Sequence, residues 1–508
     1  MAASRLVAHD SLRNKSSQIY HPKRPLDLAQ VKCGWHGAIK EYDYWVPKAD
    51  IEGELPQDLK GTLMRNGPGI SEVYGKRLVH PIDGDGMIIT LTFVGGGVHL
   101  RTRFVASKER LGRATEENLP LPWPKLHYRN PSNTNVFYWG GKIVSCYETG
   151  LPHSLDPVTL DTRGVDTFNG ALELKVLAAH FRLDMENMRL VCMGMKPGVG
   201  HLPPSLAIYE FDEGWKVVKH QLHHIPGLNY SHDFLLLPDY YVFHLTPFAN
   251  MTWTAVLKVY LGWSSPGQEL RYYPKMPSQF VIIPRHEGAK HQRVILVNTE
   301  PFHIYHFGTS EQHGASRIEF NAVCLGPKFD MTFEKEIWLS NASVAPGNMF
   351  TFMIDLDTQK CTRSEKPADP SSVEFPTVHP YRHGHPNSRY CYLMASDREG
   401  HNLPYRDVVK FDKEGKHRQV WYSHGTVGEP VFVPRGGWDS WNAGDEDDGY
   451  VITQLYVPET NLTEFVVLDA KRVDKGPVAT IKLKHHLPYG FHGTFTPEVF
   501  LSPPKAKL

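Results

Sequence analysis

The chain has 508 residues, and its 55 Lys and Arg balance 55 Asp and Glu, so the formal net charge is zero. This balance, together with the lack of a basic stripe carrying interleaved aromatic residues, argues against a nucleic-acid-binding surface. No apolar run approaches the ~20 residues that span a bilayer. The six cysteines are scattered without a C-x-x-C pair, which predicts reduced thiols in an intracellular protein.

The two ends of the chain are predicted to lie outside the folded domain. Residues 1–40 are interpreted as a flexible N-terminal arm, since the first 26 residues are rich in Ser, Arg and Lys. Residues 501–508 are interpreted as an exposed tail. The tail ends in Ala506-Lys507-Leu508, which is close to the Ser-Lys-Leu peroxisomal address. The predicted location is cytoplasmic or peripherally membrane-associated, with peroxisomal targeting as an alternative.

Residues 41–500 contain many short strand-like runs separated by Gly, Pro, Asp and Asn turns. Examples are Lys142–Tyr147, Leu206–Phe211, Gln279–Ile283 and Glu464–Leu468. Apolar runs of this length with turn signals between them indicate an all-β fold. A chain this long is typical of a β-propeller, because radial repetition lets an all-β fold grow without long exposed edges. The sequence therefore predicts one propeller domain over residues 41–500.

Four histidines have apolar or small neighbours that indicate buried, oriented side chains: His180, His232, His303 and His492. They are far apart in the chain, whereas a helical zinc motif places its ligands a few residues apart. Inner strands of different propeller blades would bring such distant residues to one axis. Neutral imidazoles suit a borderline divalent metal such as Fe(II), and open positions on that metal could take dioxygen.

Other histidines offer a rival interpretation, since the chain contains 28. His379, His383 and His385 are spaced closely enough to bind zinc, but the intervening Pro380 and Gly384 favour an irregular surface loop.

Several motifs together resemble those of the carotenoid cleavage oxygenases, and most closely the apocarotenoid oxygenases. In family order they are Arg65-Asn66-Gly67-Pro68-Gly69, His80-Pro81-Ile82-Asp83-Gly84-Asp85-Gly86-Met87, Asn133-Thr134-Asn135, His232-Asp233-Phe234, Glu374-Phe375-Pro376, Gly428-Glu429-Pro430 and Leu487-Pro488-Tyr489-Gly490-Phe491-His492-Gly493. The resemblance implies a seven-bladed β-propeller with a helical and loop cap over the face that carries iron.

The resemblance also implies roles for individual residues. The iron ligands fall on His180, His232, His303 and His492. Glutamates that hold three of these ligands fall on Glu148 for His232, Glu374 for His303 and Glu429 for His492, which leaves His180 without a carboxylate. A carboxylate that accepts the distal N–H fixes the imidazole tautomer and orientation. Thr134 falls where a threonine methyl crowds one open iron position.

Two segments depart from the family pattern. Tyr305-His306-Phe307-Gly308 replaces the usual residues after His303, so the pocket there is expected to be reshaped. His306 is interpreted as a packing or hydrogen-bonding residue, with a ligand role as the alternative. Tyr147 stands where stilbene-cleaving members carry lysine, which counts against recognition of a hydroxystilbene.

The implied function is that of a non-haem Fe(II) dioxygenase, with one iron per chain, that adds O₂ across a conjugated C=C bond of an apolar polyene. Tyr147, Tyr230 and Phe302 flank the predicted ligands and are expected to line the substrate tunnel. An apolar patch at the tunnel mouth is expected to contact a membrane. The alternatives are cleavage of a stilbene or phenylpropanoid, retinoid isomerisation, and a non-catalytic propeller that binds apocarotenoids.

Overall fold

The computed structural model of the chain describes residues 27–38, 40–70, 72–73, 76–77, 84–108, 110–111, 130–261, 263–264, 269, 272–273, 275–326, 346–365, 372–396, 403–415 and 418–501. Three sequence features lie wholly or mainly outside these residues: most of the predicted N-terminal arm, the Ala506-Lys507-Leu508 tripeptide, and His80-Pro81-Ile82-Asp83 of the second family motif.

The described residues are mostly β-strands. The first strands are β1 (Asp43–Trp45), β2 (Ile51–Gly53), β3 (Gly61–Pro68), β4 (Glu72–Val73), β5 (Lys76–Arg77), β6 (Gly86–Val94) and β7 (Gly97–Phe104). They are followed by β8 (Asn135–Trp139), β9 (Lys142–Cys146), β10 (His153–Leu155), β11 (Thr162–Val165), β12 (Phe181–Asp184), β13 (Arg189–Lys196), β14 (Ser205–Phe211) and β15 (Val217–His223).

The second half of the chain continues in the same way. Its strands are β16 (Phe234–Leu236), β17 (Tyr240–Leu245), β18 (Ser278–Pro284), β19 (Ile295–Thr299), β20 (His303–His313), β21 (Arg317–Leu325), β22 (Gly347–Asp355), β23 (Lys360–Glu365), β24 (Ser372–Thr377), β25 (Tyr390–Ser396), β26 (Asp407–Asp412), β27 (Gln419–Tyr422), β28 (Thr426–Val427), β29 (Val431–Pro434), β30 (Gly449–Val457), β31 (Leu462–Asp469), β32 (Pro477–Lys482) and β33 (Gly493–Thr496).

Seven antiparallel sheets form the blades of a β-propeller, which confirms the predicted fold class. Blade 1 has the order β1-β7-β6-β3-β33. Blades 2 to 6 are β8 to β11, β12 to β15, β16 to β19, β20 to β23 and β24 to β27. Blade 7 has the order β2-β32-β31-β30-β28, with β29 also paired to β30. The small β4-β5 hairpin lies outside the blades.

The ring is closed by strands from both ends of the chain. β33 pairs with β3, with Arg65 opposite Gly493, so the end of the chain supplies the inner strand of blade 1. β2 pairs with β32, with Ile51 opposite Ile481, so the start of the chain supplies the outer strand of blade 7. The blades therefore use strands from residue 43 to residue 496, within the single domain expected over residues 41–500.

Each junction between neighbouring blades contains its own apolar cluster of buried residues. In blade 1, for example, every residue of β3 is buried, because its two faces pack against blades 2 and 7. Strands buried on both faces read as continuous apolar runs rather than as an alternating pattern. This packing explains the uninterrupted apolar runs in the sequence.

The chain also contains two α-helices among its described residues, α1 (Leu28–Cys33) and α2 (Trp253–Tyr260), and three short 3-10 helices, at Lys48–Asp50, Gly437–Trp441 and Val473–Lys475. The structure corrects the expected flexible arm at α1. The Tyr489 hydroxyl donates to the Val31 carbonyl at 3.1 Å, so this part of the predicted arm packs against the propeller.

Helix α2 is the longer of the two described helices. It lies in the long connection between β17 and β18, at the end of the ring where Thr246 contacts His303. Both helices that the structure describes are too short to cross a bilayer.

Candidate metal centre

Four buried histidines meet on the propeller axis: His180, His232, His306 and His492. Each lies immediately before or within the inner part of a blade: blade 3, blade 4, blade 5 and blade 1 respectively. Their Nε2 atoms converge. The His180–His232 separation is 2.9 Å, that of His232–His306 is 3.1 Å, and that of His306–His492 is 3.3 Å.

These separations fit one bound metal ion. An imidazole nitrogen lies about 2.1 Å from a bound divalent metal such as zinc. Two ligand nitrogens at right angles to each other are therefore about 3 Å apart. All four ligand atoms lie within 4.8 Å of one another. With four imidazoles and no carboxylate or thiolate among the ligands, the site suits a borderline metal and leaves positions for other molecules.

Three glutamates orient three of the histidines through the other ring nitrogen. His232 Nδ1 lies 2.9 Å from Glu148 Oε1. His492 Nδ1 lies 2.8 Å from Glu429 Oε1, and His306 Nδ1 lies 2.7 Å from Glu374 Oε2. An Nδ1–H that donates to a carboxylate leaves the Nε2 lone pair free for a metal.

The seven inner residues come from seven different blades. Histidines come from blades 1, 3, 4 and 5, whereas Glu148, Glu374 and Glu429 come from blades 2, 6 and 7. The complete ring is therefore needed to assemble the site. Among the described residues, His180 has no comparable carboxylate partner; Asp233 Oδ1 is 3.7 Å from its Nδ1, which is beyond hydrogen-bond range.

Burial controls the protonation of the cluster. Burial lowers the pKa of His180 and of His306 well below the usual range, and the neighbouring histidines lower both further. For His232, burial lowers the pKa, but the charge and hydrogen bond of Glu148 outweigh it and raise the pKa. Burial raises the pKa of Glu374 to about 7. His180 and His306 are therefore neutral, so each can offer a nitrogen lone pair to a metal.

The structure corrects the predicted ligand set at one position, because His306 and not His303 joins the cluster. His303 Nδ1 lies 2.8 Å from the Thr246 hydroxyl oxygen. Side chains alternate between the two faces of a regular strand, so two histidines three residues apart cannot both face the cluster. A β-bulge lies in this segment: Ile304 pairs with Cys324 and Phe307 with Ala322, so three steps on β20 match two on β21. Bulges of this kind redirect side chains next to functional sites.

The same correction applies to the glutamate on blade 6. Glu374 was expected to hold His303, and it instead contacts His306. Its Oε2 also accepts the Phe375 N–H at 2.6 Å, and Phe375 has a positive φ of 52°. The strained backbone and the hydrogen bond fix the carboxylate beside the cluster. The pairings of Glu148 with His232 and of Glu429 with His492 are as the resemblance implied.

A layer of buried polar residues holds the histidines in place. Both Asp233 carboxylate oxygens accept from Arg182, at 2.6 and 2.7 Å, and one accepts the Phe307 N–H at 3.1 Å. Asp233 therefore ties together blades 3, 4 and 5. Between blades 1 and 7, the fully buried Arg65 donates to the Glu429 carbonyl at 2.8 Å.

The four predicted pocket residues have different environments. Thr134 is buried, and its carbonyl accepts the His492 N–H at 3.2 Å. The Tyr230 hydroxyl oxygen lies 3.1 Å from His232 Nδ1, and Tyr147 is half-buried beside Glu148. Phe302 does not line the site. It is buried in the core between blades 4 and 5, stacked on His244 with ring centroids 5.1 Å apart.

Sequence reasoning did not identify Tyr305 and Phe375 as neighbours of the metal site. The Tyr305 ring contacts His232 edge-on at a centroid distance of 5.5 Å. The Phe375 ring lies 4.9 Å from that of His306 and 5.0 Å from that of His492. Their adjacency to His306 and Glu374 in the sequence was the available signal.

The rival histidine cluster does not form a metal site in the part of the chain that the structure describes. His379 is buried, and its Nδ1 accepts the Tyr381 N–H at 3.3 Å. His385 Nδ1 donates to the Pro386 carbonyl at 2.7 Å. These imidazoles are used to shape a loop, as the prolines and glycine of this segment indicate.

Comparison with known proteins places this chain in one family. A family model described as retinal pigment epithelial membrane protein matches residues 39–497. The chain is 32% identical over 487 residues to the apocarotenoid-15,15'-oxygenase of Synechocystis sp., which covers 91% of this chain and 95% of the relative. It is 26% identical to the isoeugenol monooxygenase of Pseudomonas nitroreducens, over 88% of this chain and 94% of the relative.

A solved structure agrees with this comparison. Cobalt-substituted Synechocystis apocarotenoid oxygenase superposes with a TM-score of 0.81 at 29% identity, covering 92% of this chain and 99% of that chain. The seven-bladed propeller and the buried cluster of four histidines agree with the fold and the kind of metal site that the resemblance to the carotenoid oxygenases implied. The chain belongs to this family, so the resemblance and the enzyme class predicted from the sequence, that of the carotenoid and apocarotenoid cleavage dioxygenases, are confirmed.

Proposed function

We propose that the protein is a non-haem Fe(II) dioxygenase that cleaves one conjugated C=C bond of a carotenoid or apocarotenoid. The observation that carries this proposal is the convergence of the Nε2 atoms of His180, His232, His306 and His492 within 4.8 Å, with no charged group among them. The similarity to an apocarotenoid oxygenase over 91% of the chain supports the substrate class. The cobalt-substituted relative supports a divalent metal at this centre.

The proposed reaction is balanced without an added reductant. One C=C bond breaks, O₂ is consumed, and each of the two carbons gains one oxygen as a carbonyl. Bound Fe(II) would supply dioxygen activation at positions left open by the four histidines. An uncharged substrate with delocalised electrons requires no side-chain acid or base, and in agreement with this, each of the three glutamates is engaged by a histidine of the cluster.

The residues around the cluster are proposed to orient the polyene. Tyr230, Tyr305 and Phe375 place aromatic rings beside His232, His306 and His492. Aromatic faces suit a conjugated apolar chain. Tyr147 offers a neutral phenol where a stilbene cleaver would carry lysine, which favours an apocarotenoid over a hydroxystilbene.

The proposal is tested by anaerobic reconstitution with Fe(II), followed by incubation with apocarotenals, stilbenes and isoeugenol under ¹⁸O₂. We expect about one iron per chain and two carbonyl products from an apocarotenal, each labelled with one ¹⁸O. Preferred cleavage of resveratrol or isoeugenol would show that the proposed substrate class is wrong and that the protein is still an iron oxygenase. Isomerised but uncleaved polyene would indicate an isomerase, and binding without iron or turnover would indicate a non-catalytic binder.

We further propose that the protein contacts a lipid surface through the region around α2. Among the described residues, large exposed apolar side chains concentrate here: Leu202, Trp253, Leu257, Tyr260, Trp263, Tyr273 and Met276. Trp253, Leu257 and Tyr260 share one helix face, and Trp253 and Trp263 are 64% and 74% exposed. Tryptophan and tyrosine favour the membrane–water interface.

The position of this patch suits delivery of a lipid-soluble substrate. α2 follows Thr246 and Phe248, which contact His303 on the face of the ring near the metal cluster. Trp253→Ser with Leu257→Ser should abolish co-sedimentation with phosphatidylcholine vesicles. Trp45→Ser, which removes a 51% exposed tryptophan on β1, is the matched control and should bind like the wild type. Equal vesicle binding by all three proteins would reject the assigned surface.

A further inference from the structure

A cavity follows the propeller axis from the metal cluster toward the face of the ring opposite α2. Its inner end is formed by His180, His306 and His492. Its walls are residues further along the inner strands, such as Phe137 and Thr377. It ends at the loop after β24 and the 3-10 helix at Gly437–Trp441, where His383 and Trp438 line it.

The lining of this axial cavity combines apolar side chains with buried donors. Phe137, Leu183 and Phe307 supply apolar walls. The Tyr381 hydroxyl and Arg182 Nε also belong to the lining residues, and neither atom has a hydrogen-bond partner within the described part of the chain. Tyr381 is 3% exposed and Arg182 is 8% exposed. Buried donors of this kind are ordinarily satisfied by ordered water.

The charged groups on the wall are internally paired. Arg182 uses its terminal nitrogens for Asp233 and for the Phe181 carbonyl, and Glu429 uses its carboxylate for His492 and the Gly493 N–H. The cavity therefore offers no unpaired charge that would hold an ionic ligand. Its volume of about 120 Å³ exceeds the roughly 30 Å³ of one liquid water, so it accommodates a few small molecules.

The cavity extends away from Tyr230, one of the aromatic residues assigned to the substrate. Tyr230 precedes the inner strand of blade 4, and α2 lies at the same end of the ring. The axial cavity instead begins at the histidines and extends along the inner strands away from that end. A bound polyene would therefore leave this side of the metal cluster accessible.

We propose that the axial cavity is a second route to the metal centre, which admits water and dioxygen while the organic substrate enters from the α2 side. The identification of dioxygen as a molecule that uses this route rests on the proposed function. The route itself rests on the cavity. The apolar walls suit a diatomic molecule, and the buried donors of Tyr381 and Arg182 suit water. The cavity's volume of about 120 Å³ is below the roughly 300–1,000 Å³ of pockets that hold larger organic ligands, which argues against entry of a polyene by this route.

The route is tested by narrowing it at Thr377, which is a half-buried lining residue on β24. Thr377→Phe fills the cavity, Thr377→Leu is a smaller plug should the larger one prevent folding, and Thr377→Val is the matched control of nearly equal size. Crystals pressurised with xenon should show xenon in the axial cavity of the wild type and Thr377→Val, and none in Thr377→Phe. This measurement needs no metal.

The functional readout is the association rate of nitric oxide with the Fe(II)-loaded protein, measured by stopped flow without organic substrate. We expect Thr377→Phe to slow association by about tenfold or more and Thr377→Val to leave it unchanged. The KM for O₂ should rise in Thr377→Phe, with the KM for the organic substrate unchanged. Normal nitric oxide association in a variant that excludes xenon would overturn the route. Normal nitric oxide binding without polyene turnover would reject the proposed function alone.

Discussion

Glu374 on blade 6 accepts a hydrogen bond from His306 on blade 5, with 2.7 Å between Oε2 and Nδ1. His303, three residues earlier on the same strand, is directed to Thr246. Glu374 therefore orients His306, the histidine of β20 that belongs to the metal cluster.

The two histidines of β20 should differ in their effect on metal binding. His306→Ala should lose the bound Fe(II), because it removes one of four converging ligand atoms and leaves Glu374 without its partner. His303→Ala is the matched control and should retain about one iron per chain, as measured by elemental analysis after anaerobic reconstitution. The opposite pattern, with iron lost only from His303→Ala, would restore the ligand set expected from the sequence.

The hydrogen bond from His306 to Glu374 should tune the metal site. Glu374→Gln should lower iron affinity or kcat/KM by roughly 10–100-fold while the fold persists, since partners of metal-bound histidines have effects of this size. Competitive chelation measures the affinity, and circular dichroism monitors the fold. Unchanged affinity and rate would show that the carboxylate only supports the backbone at Phe375.

Glu210 should make stability dependent on acid pH. Burial raises its pKa, but the hydrogen bonds and charge of Arg285 outweigh this and lower the pKa to about 2, from a usual 4.5. The folded protein thus favours the carboxylate. Its contribution to stability is complete above pH about 5 and is lost as the pH falls toward about 2.

Glu210→Gln should therefore destabilise the protein at pH 7, by about 3–5 kcal/mol if the buried pair is disrupted fully, and should weaken the acid dependence. Glu173→Gln removes an exposed carboxylate near His220 and is the control, with an expected change below about 1 kcal/mol. Urea denaturation at pH 7 and pH 4 measures both. Parallel pH profiles for wild type and Glu210→Gln would contradict this assignment.

Phe302 and Tyr305 should act on different properties. Phe302→Ala should cost about 3–5 kcal/mol of stability, since the ring is 2% exposed in the core between blades 4 and 5, and should leave substrate preference unchanged. Tyr305→Ala should raise the KM for the organic substrate, because its ring contacts His232. Thermal denaturation and steady-state kinetics separate the two. A changed substrate preference in Phe302→Ala would return this residue to the tunnel wall.

Tyr147 should influence the choice between substrates. The wild type should cleave an apocarotenal with higher kcat/KM than resveratrol, and Tyr147→Lys should shift the ratio toward resveratrol, because an ammonium group can bind a phenolate. Tyr147→Phe is the control and should keep the preference. A wild type that prefers resveratrol would reject this role and leave the iron site unaffected.

The strand pattern of the sequence predicts the fold class, and the motifs shared with the family identify three of the four clustered histidines and the three glutamates beside them. Short apolar runs with turn residues between them require many strands, and strands buried on both faces require blade-on-blade packing. The motifs around His232, Glu429 and His492 carry enough local information to identify these residues, since each lies beside residues that fix its backbone, such as Asp233 and Gly493.

The choice between His303 and His306 and the burial of Phe302 in the core depend on contacts between strands that are distant in the sequence. His306 lies inside the bulge of β20, which arises from pairing with β21 and has no signature in the sequence of β20 alone, whereas Phe302 is buried by the packing of blade 4 against blade 5. The register of one strand against its neighbour sets which face each side chain occupies, and a shift of one residue exchanges the faces. The order of apolar residues around His303 is equally compatible with either face of β20. Pairing with the neighbouring strand therefore sets which histidine faces the metal cluster.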